Sequence, residues 1–186
     1  MPLAQPATEA EPLPTAPLDL EETFREHHRM VFWAAYRVTG NSSDAEDAMQ
    51  TVFLRMARRE TICAANMESY LRRSAVNAAL DLVRSKHRSS AVPIDEIAGH
   101  LQDDSLAPDR PHRDVEIRDR LRHAVARLSP AAAEMFALRY FEERDNSEIA
   151  ELVGTTVGTV AVTLHRSRER IKKELENELQ NWGGTK

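Results

Sequence analysis

The last third of the chain carries a run of basic side chains that could bind phosphate groups. From His165 the sequence reads HRSRERIKK, in which five of nine residues are Arg or Lys and only Glu169 is acidic. Guanidinium and ammonium groups are common protein ligands of nucleic-acid phosphates. The run therefore indicates contact with a nucleic acid, provided that the preceding residues place it beside a duplex.

A second basic stretch lies in the first half of the chain. Between Tyr70 and Arg88 the basic residues are interleaved with the Tyr70 ring and the Asn77 amide, and they are opposed by Asp81. Such a helix can hold phosphates and stack an unpaired base. The alternative is the solvated face of a core helix, and the residue types leave both open. The basic residues are Arg72, Arg73, Arg84, Lys86 and Arg88.

The acidic and nucleophilic residues form no catalytic or metal-binding set. The acids between Asp44 and Asp47 stand where a helix begins, and carboxylates there suit the positive end of the helix dipole. No His or carboxylate joins them at ligand spacing. The one cysteine, Cys63, excludes an internal disulfide and fits a reducing cytoplasm. We expect no enzymatic activity, no metal and no cofactor.

A helix-turn-helix is predicted to position the first basic run. Ala150 is small, so a second helix can cross close by, and Gly154, four residues later, can take the positive φ that ends the first helix. Val160, six residues further on, seats the second helix on the first. The result is a recognition helix for the major groove. The alternative is an ordinary helical hairpin with a solvated, charged end.

The caps of these two helices are also predicted from residue type. Asn146 or Ser147 is expected to cap the first helix, and Thr155 or Thr156 the second. In the preceding segment, Ser129-Pro130 reads as an N-cap followed by the first helical residue.

The remaining segments also show helical periodicity, and no alternating run predicts a strand. In the first helix, Phe32, Trp33 and Tyr36 are expected to widen the apolar face. Packing residues in the helix after Pro130 are expected at Phe136, Leu138, Tyr140 and Phe141. Helices are predicted over 19–39, from Asp44 onward, over Glu68–Arg88, over Val115–Leu128 and over Ala131–Phe141.

Charge and composition divide the chain. Residues 1–18 are rich in Pro and Ala and are read as a disordered tail, and residues 89–114, with six acidic and two basic side chains, as an acidic linker. The formal net charge is −5, which argues against a protein that coats DNA unaided and suits one held by a larger partner. No secretory signal or membrane-spanning run is apparent, so a cytoplasmic location without membrane insertion is expected.

Two blocks of the sequence resemble the extracytoplasmic-function (ECF) group of bacterial RNA polymerase sigma factors. DAEDAMQTVFLRM with SYLRRSAVNAALDLVR resembles the family's region 2. LSPAAAEMFALRYFEERDNSEIAELVGTTVGTVAVTLHRSRERI resembles its region 4. The resemblance implies an all-α fold of two small helical domains, residues 19–88 and 115–181, joined by the 89–114 linker, with residues 182–186 as a C-terminal tail.

The resemblance also implies a role for each block. Region 2 would dock on the β′ clamp helices of core polymerase through Asp47 and Gln50, supported by Phe53. The loop from Cys63 to Asn66 and the helix after it would capture the melted −10 element, although Asn77 and Asp81 could instead be structural. The implied −10 contacts are Asn66, Tyr70, Arg73, Asn77, Arg84, Lys86 and Arg88.

Region 4 would read the −35 element as duplex and pack on the polymerase β flap. An anti-sigma factor is the expected regulator, because members of the family are usually held inactive by one. The implied −35 contacts are Thr156, Thr159, Ala161, Val162, Thr163, His165, Arg166 and Arg168.

The chain departs from the family pattern at two places. Thr51 follows Gln50 where an acid is common, so one polymerase contact is missing. Ala161, Val162 and Thr163 stand where Lys, Ser and Arg are common, so two basic contacts are lost. We expect an unusual −35 preference, with apolar or Thr contacts to thymine methyl groups.

Three other functions remain as alternatives. The strongest is a stand-alone helix-turn-helix regulator, which would need a dimer interface or receiver domain that the sequence does not suggest. An adaptor or anti-sigma protein that binds polymerase without reading DNA fits poorly with the basic recognition helix. A helical enzyme is the third, and it would have to use Asp44, Glu46, Asp47 and His27.

Overall fold

A computed structural model of the chain describes residues 19–59, 66–90 and 112–183. Within these ranges the secondary structure is entirely helical, as predicted. Seven helices follow one another: α1 (Leu20–Thr39), α2 (Ser42–Ala57), α3 (Met67–Ser90), α4 (His112–Ala126), α5 (Pro130–Tyr140), α6 (Asn146–Val153) and α7 (Val157–Gly183).

Helices α1, α2 and α3 pack together as a three-helix unit. Asp19 caps α1 by accepting a hydrogen bond from the Glu22 N–H, and Gly40 ends it with φ of 80°. Asn41 then caps α2 through the Asp44 N–H. The tight reversal at Gly40 and Asn41 lays α2 back against α1. The core between the three helices includes Val31, Ala35, Val38, Ala48, Val52, Met56, Leu71, Val76 and Leu80.

Helices α4 to α7 form the second unit. Ser129 and Pro130 start α5 as predicted. The cap of α6 is Asp145, so the prediction of Asn146 or Ser147 is wrong. The Asp145 carboxylate accepts from the N–H groups of Ser147 and Glu148, and the Glu148 carboxylate accepts from the Asp145 N–H. This reciprocal capping box satisfies more donors than either neighbour could alone.

The boundaries differ from the predicted ones at the segment read as a linker. Helix α3 continues to Ser90 and α4 begins at His112, so both ends of residues 89–114 are helical. The predicted N-terminal tail, Cys63 and the middle of the linker lie outside the described residues.

The two units also pack against each other, which the sequence did not predict. Helix α3 contacts α4, α5 and α6 in addition to α1 and α2. At one edge of this contact, the Arg122 guanidinium of α4 lies so close to Gly40 that a Cβ atom there would sit 2.2 Å from its Cζ. Helix α3 therefore lies at the centre of the molecule, with one unit on either side.

Two further findings concern the described residues alone. None of the helices in these ranges is both long and apolar enough to cross a membrane. Across the same ranges, His, Cys, Asp and Glu residues are nowhere grouped in threes in a way that could hold a metal ion.

Candidate nucleic-acid interface

The turn between α6 and α7 has the geometry that the sequence predicted. Gly154 adopts φ of 73° and ψ of 46°, and the Thr155 N–H donates to the Ala150 carbonyl at 2.9 Å. Thr156 then caps α7, because its Oγ1 accepts from the Thr159 N–H at 3.2 Å. These local bonds fix the angle at which α7 leaves the turn.

Apolar side chains seat α7 against the rest of the second unit. Val160 is fully buried, and Leu164 and Ile171, on the same face of α7, are each 5% exposed. Ala150 on α6 is also buried. The small alanine allows the close crossing predicted for a helix-turn-helix, and the buried stripe turns the opposite face of α7 outward.

The outward face of α7 carries the residues predicted to contact the −35 element. Val162 is 51% exposed, so an apolar side chain is presented to solvent beside polar ones. Thr163 is only partly exposed, and its carbonyl accepts from the Ser167 hydroxyl at 2.7 Å. The predicted contacts that are exposed are Thr156, Thr159, Ala161, Val162, His165, Arg166 and Arg168.

Three partly exposed residues of the predicted −10 set on α3 bind acceptors of the second unit. Arg73 Nε lies 2.5 Å from Glu134 Oε1, and the Asn77 amide donates to the same oxygen at 2.8 Å. Arg84 Nε donates to the Ala126 carbonyl at 3.1 Å. The fold brings these donors to one face of α3, where each binds an acceptor of the second unit, and the Arg73 side chain remains 37% exposed.

The other predicted −10 residues have mixed surroundings. The Asn66 side chain accepts from the Ser69 N–H at 2.9 Å and so caps α3. Tyr70 is partly buried against the core. Lys86 Nζ lies 2.5 Å from the buried carboxylate of Asp44, and Arg88 is exposed.

One charged residue in the contact between the two units, Glu142, was missed by the sequence analysis. The Glu142 side chain is only 1% exposed and binds both Arg37 Nη1, at 2.8 Å, and Arg72 Nη1, at 3.1 Å. Burial lowers the pKa of Arg72, but its hydrogen bonds to Glu68 and Glu142 outweigh burial and raise that pKa overall. The Glu68 pKa is lowered, chiefly by the hydrogen bond from Arg72. Glu142 directly follows the predicted helix Ala131–Phe141, where nothing in the local pattern marks a buried acid.

A separate exposed surface lies on α1 and α2. Asp47 and Gln50 are exposed, while Phe53 is buried and packs edge-on against Phe24. Beside Gln50 is a groove of about 400 Å³, which we call the α1–α2 groove. Its lining residues are His28, Arg29, Phe32, Trp33, Glu46, Met49 and Gln50.

The α1–α2 groove corrects one expectation. Trp33 was assigned to the apolar face of its helix, but it is 42% exposed and forms one wall of the groove. Its ring is held edge-on between Phe32 and Tyr36, with centroid distances of 5.5 and 5.4 Å. Tyr140 was also expected to pack, and its ring centroid lies 4.4 Å from that of Phe136, although 42% of the residue is exposed.

Comparison with known proteins identifies both units. Residues 23–89 match the family profile described as Sigma-70 region 2, and residues 118–171 match Sigma-70, region 4. Three helices of the first unit and four of the second fall largely within these matches.

Curated relatives of similar sequence include two RNA polymerase sigma factors. The chain is 30% identical over 152 residues to the RNA polymerase sigma-E factor of Streptomyces coelicolor, covering 81% of this chain and 82% of that one. It is 29% identical over 147 residues to the ECF RNA polymerase sigma factor SigE of Mycolicibacterium smegmatis. That match covers 78% of this chain but only 57% of the longer relative.

One solved structure supports the fold. CnrH, determined in complex with the cytosolic domain of CnrY, superimposes with a TM-score of 0.51 at 18% sequence identity. The match covers 85% of this chain and 88% of CnrH.

Proposed function

Because the chain belongs to the ECF group of sigma-70-type RNA polymerase sigma factors, we propose that it binds bacterial core polymerase and directs promoter-specific initiation. The observation that carries this proposal is the pairing of two matched regions, in family order, on one chain. A stand-alone regulator would not need region 2. In this proposal the polymerase catalyses RNA synthesis, and this chain supplies promoter recognition without a catalytic group of its own. The proposed location is the cytoplasm.

The surface of α2 is the proposed contact with the β′ clamp helices. Asp47 and Gln50 are exposed there, and Phe53 beneath them is packed against Phe24. The adjoining α1–α2 groove offers an exposed ring, Trp33, next to polar groups. Partly exposed aromatic residues are enriched at protein interfaces, so the groove extends the proposed contact beyond the residues chosen from sequence.

The outward face of α7 is the proposed reader of the −35 element. Its N-terminal residues present hydroxyl and methyl groups, and Arg166 and Arg168 follow on the next turns. Methyl groups such as those of Val162 and Ala161 can contact thymine, and the arginines can bind phosphates. The same unit would pack on the β flap.

The face of α3 is the proposed site for the −10 element. Arg73, Asn77 and Arg84 lie along it, and Arg88 continues it at the exposed end. The donors are of the kinds that hold a phosphate backbone. An anti-sigma factor is proposed as the regulator, and the fold relative CnrH was itself solved with a bound protein domain.

Run-off transcription with bacterial core polymerase, with and without this protein, tests the proposal. Genomic fragments serve as templates, and new discrete start sites are expected only when the protein is present. Asp47→Ala/Gln50→Ala should abolish these starts, because both exposed side chains of the polymerase contact are lost. Glu21→Ala/Glu22→Ala, in the first turn of α1, is the control that truncates two side chains away from that surface.

Two outcomes separate the alternatives. Specific DNA binding by the protein alone, without new starts, would favour a stand-alone regulator. New starts that survive Asp47→Ala/Gln50→Ala would keep the sigma factor and remove α2 from the polymerase contact.

A further inference from the structure

A small cavity lies between the C-terminal end of α3 and the turn that joins α4 to α5. Its volume is about 210 Å³, it is partly open to solvent, and we call it the α3–α4 cavity. Its lining residues are Arg84, His87, Arg88, Ala126 and Arg127, of which four carry a guanidinium or imidazole group and none is acidic. A concave surface with one sign of charge concentrates ions of the opposite sign, so this cavity should attract anions.

Arg127 is fixed at the wall of the α3–α4 cavity by two neighbours. Its Nε donates to His87 Nε2 at 3.2 Å, and its Nη1 donates to Glu174 Oε1 at 2.5 Å. The Glu174 side chain is only 17% exposed, so this ion pair is partly shielded from water. The Arg127 guanidinium is therefore held in place before a ligand arrives, which lowers the entropic cost of binding one.

Arg84 reaches the cavity from α3 and has more donors than its surroundings provide acceptors. Its Nε donates to the Ala126 carbonyl at 3.1 Å, and its Nη1 lies 3.7 Å from the exposed carboxylate of Asp81. Its Nη2 is buried and has no hydrogen-bond partner among the described residues. Buried donors without a partner are rare in folded proteins, because each one costs free energy. An anion in the cavity would offer this guanidinium a further acceptor.

Two more guanidinium groups lie in the same corner of the molecule. Arg88, one turn after Arg84, is exposed and lines the cavity. Arg170 of α7 donates its Nη2 to the Arg127 carbonyl at 3.3 Å. Helices α3 and α7 and the turn after α4 therefore bring positive charge to one place, although Glu174 offsets part of it.

A structural role accounts for part of this arrangement. Arg84 and Arg170 donate to the carbonyl groups of Ala126 and Arg127, at the C-terminal end of α4, where cations suit the negative end of the helix dipole. This capping role does not account for Arg88, or for a cavity that has no acidic lining residue. The cavity therefore needs an explanation beyond the cap of α4.

The size and donors of the cavity indicate the class of ligand. Pockets for drug-sized ligands measure about 300 to 1,000 Å³, so a volume of about 210 Å³ suits a single tetrahedral anion better than a whole nucleotide. Guanidinium groups bind phosphate through paired, charge-assisted N–H donors, which the ammonium group of Lys cannot reproduce. The basic side chains that line this cavity, apart from His87, are all Arg.

We propose that the α3–α4 cavity is a binding site for a phosphate group. Arg84, Arg88 and Arg127 bind the phosphate oxygens, and His87 is a positioning residue that holds Arg127 at the wall. The phosphate is either a free phosphate or a phosphodiester of DNA lying along the end of α3. Arg127 and His87 are outside the proposed −10 set, and the site does not depend on that set binding DNA.

The first test titrates inorganic phosphate into the full chain at constant pH and ionic strength, with chloride as the balancing anion. The probe is the imidazole proton signal of His87 in the NMR spectrum, assigned by its loss in His87→Gln. This signal should shift saturably with phosphate, because the anion binds beside the ring. The signal of His28 on α1, assigned in the same way, is the internal reference and should not show a saturable shift.

Two variants locate the ligand in the cavity. Arg88→Gln/Arg127→Gln removes two guanidinium groups and should weaken phosphate binding by about tenfold or more, since two charge-assisted contacts are lost. Arg127→Lys keeps the charge without the paired donors, so its loss should be smaller. Circular dichroism checks the helical content, and Arg88→Gln alone, at an exposed position, keeps the test available if the double variant unfolds.

Arg25→Gln/Arg58→Gln is the matched control. It removes the same charge from two exposed positions that do not line the cavity. It should change the affinity for phosphate by no more than about twofold, since exposed charges are screened by salt.

A short single-stranded oligonucleotide without a terminal phosphate distinguishes the two sources of the ligand, because all of its phosphates are diesters. A shift of the His87 signal with this oligonucleotide, lost in Arg88→Gln/Arg127→Gln, identifies the DNA backbone as the source. A shift with inorganic phosphate alone identifies free phosphate. Either result supports the phosphate site.

Two other results would overturn it. If the His87 signal responds to neither ligand more than to chloride, the arginines serve only as the cap of α4. If a saturable shift survives Arg88→Gln/Arg127→Gln, the ligand binds elsewhere. Neither result bears on promoter-specific initiation, which run-off transcription tests separately.

Discussion

Guanidinium groups bind carboxylates and phosphates through the same paired N–H donors, and this equivalence governs the residues of α3. Arg72 and Arg73 each meet an acid from the second unit, and Arg84 meets a carbonyl. On α7 the situation differs, because Arg166 and Arg168 are exposed. At the scale of single residues, the protein therefore has one proposed DNA surface whose donors already bind other parts of the chain and one that is open.

The exposed face of α7 allows a direct prediction at Ala161. This position lies in the stretch where the family pattern commonly has basic residues. Ala161→Lys should increase the affinity for duplex DNA and steepen the dependence of log K on log salt by about one unit, since it adds one phosphate contact. Anisotropy titrations of a short labelled duplex at several salt concentrations measure both quantities.

Asn177→Lys is the control for this prediction. It adds the same charge to an exposed position of α7 about 24 Å further along the helix, at about 1.5 Å per residue. The control should leave the slope unchanged. Equal slopes for Ala161→Lys and the parent chain would remove Ala161 from the DNA-facing surface.

At the scale of elements, the turn at Gly154 sets the direction of α7. The residue lies in the left-handed region, and a Cβ atom there would meet nothing within 4 Å. Any effect of a substitution is therefore conformational and not steric. The capping box of α6 supports the same turn from the other end of the helix, and the pKa of Glu148 is lowered, first by its hydrogen bond to the Asp145 backbone.

Gly154→Ala should destabilise the chain by about 1 kcal/mol, because a side chain disfavours the left-handed conformation. Asn adopts this conformation more readily, so Gly154→Asn should cost less. Urea unfolding followed by circular dichroism measures both free energies. Identical losses for Ala and Asn would show that the positive φ is not what the position requires.

At the scale of the whole molecule, the two units are joined by charged contacts. Arg37, Arg72 and Arg73 on the first unit meet Glu134 and Glu142 on the second. The buried apolar side chains of both units belong to one continuous cluster. The two units are therefore held together by apolar packing as well as by charged contacts.

Salt should weaken the charged contacts between the two units. The Debye length falls from about 10 Å at 0.1 M to about 3 Å at 1 M, which weakens the attraction between the units as they begin to part. The radius of gyration from small-angle X-ray scattering should rise with NaCl concentration in the parent chain. Glu134→Gln/Glu142→Gln should start at the larger value and change little. A radius of gyration of the parent chain that does not change with salt would contradict a role for charged contacts in holding the two units together.

The helices and the helix-turn-helix were determined by the sequence alone, because their signals are local. Apolar periodicity predicted the helices, and Ser129-Pro130 predicted the start of α5. Ala150, Gly154 and Val160, which are close together in the sequence, predicted the turn. The exposed face of α7 follows from the same spacing. The cap of α6 was misassigned because three neighbouring polar residues compete, and only Asp145 has Glu148 at the spacing of a capping box.

The surfaces that these helices present were decided by tertiary structure. The polar partners across the contact between the two units are 57 to 105 residues apart in sequence, for Asn77 with Glu134 and for Arg37 with Glu142, and no local pattern joins them. Trp33 lies on an apolar stripe by periodicity but lines an open groove, because α2 and α3 already cover the rest of α1. Which side of a helix is buried depends on what packs against it, and long-range packing appears only in the folded chain.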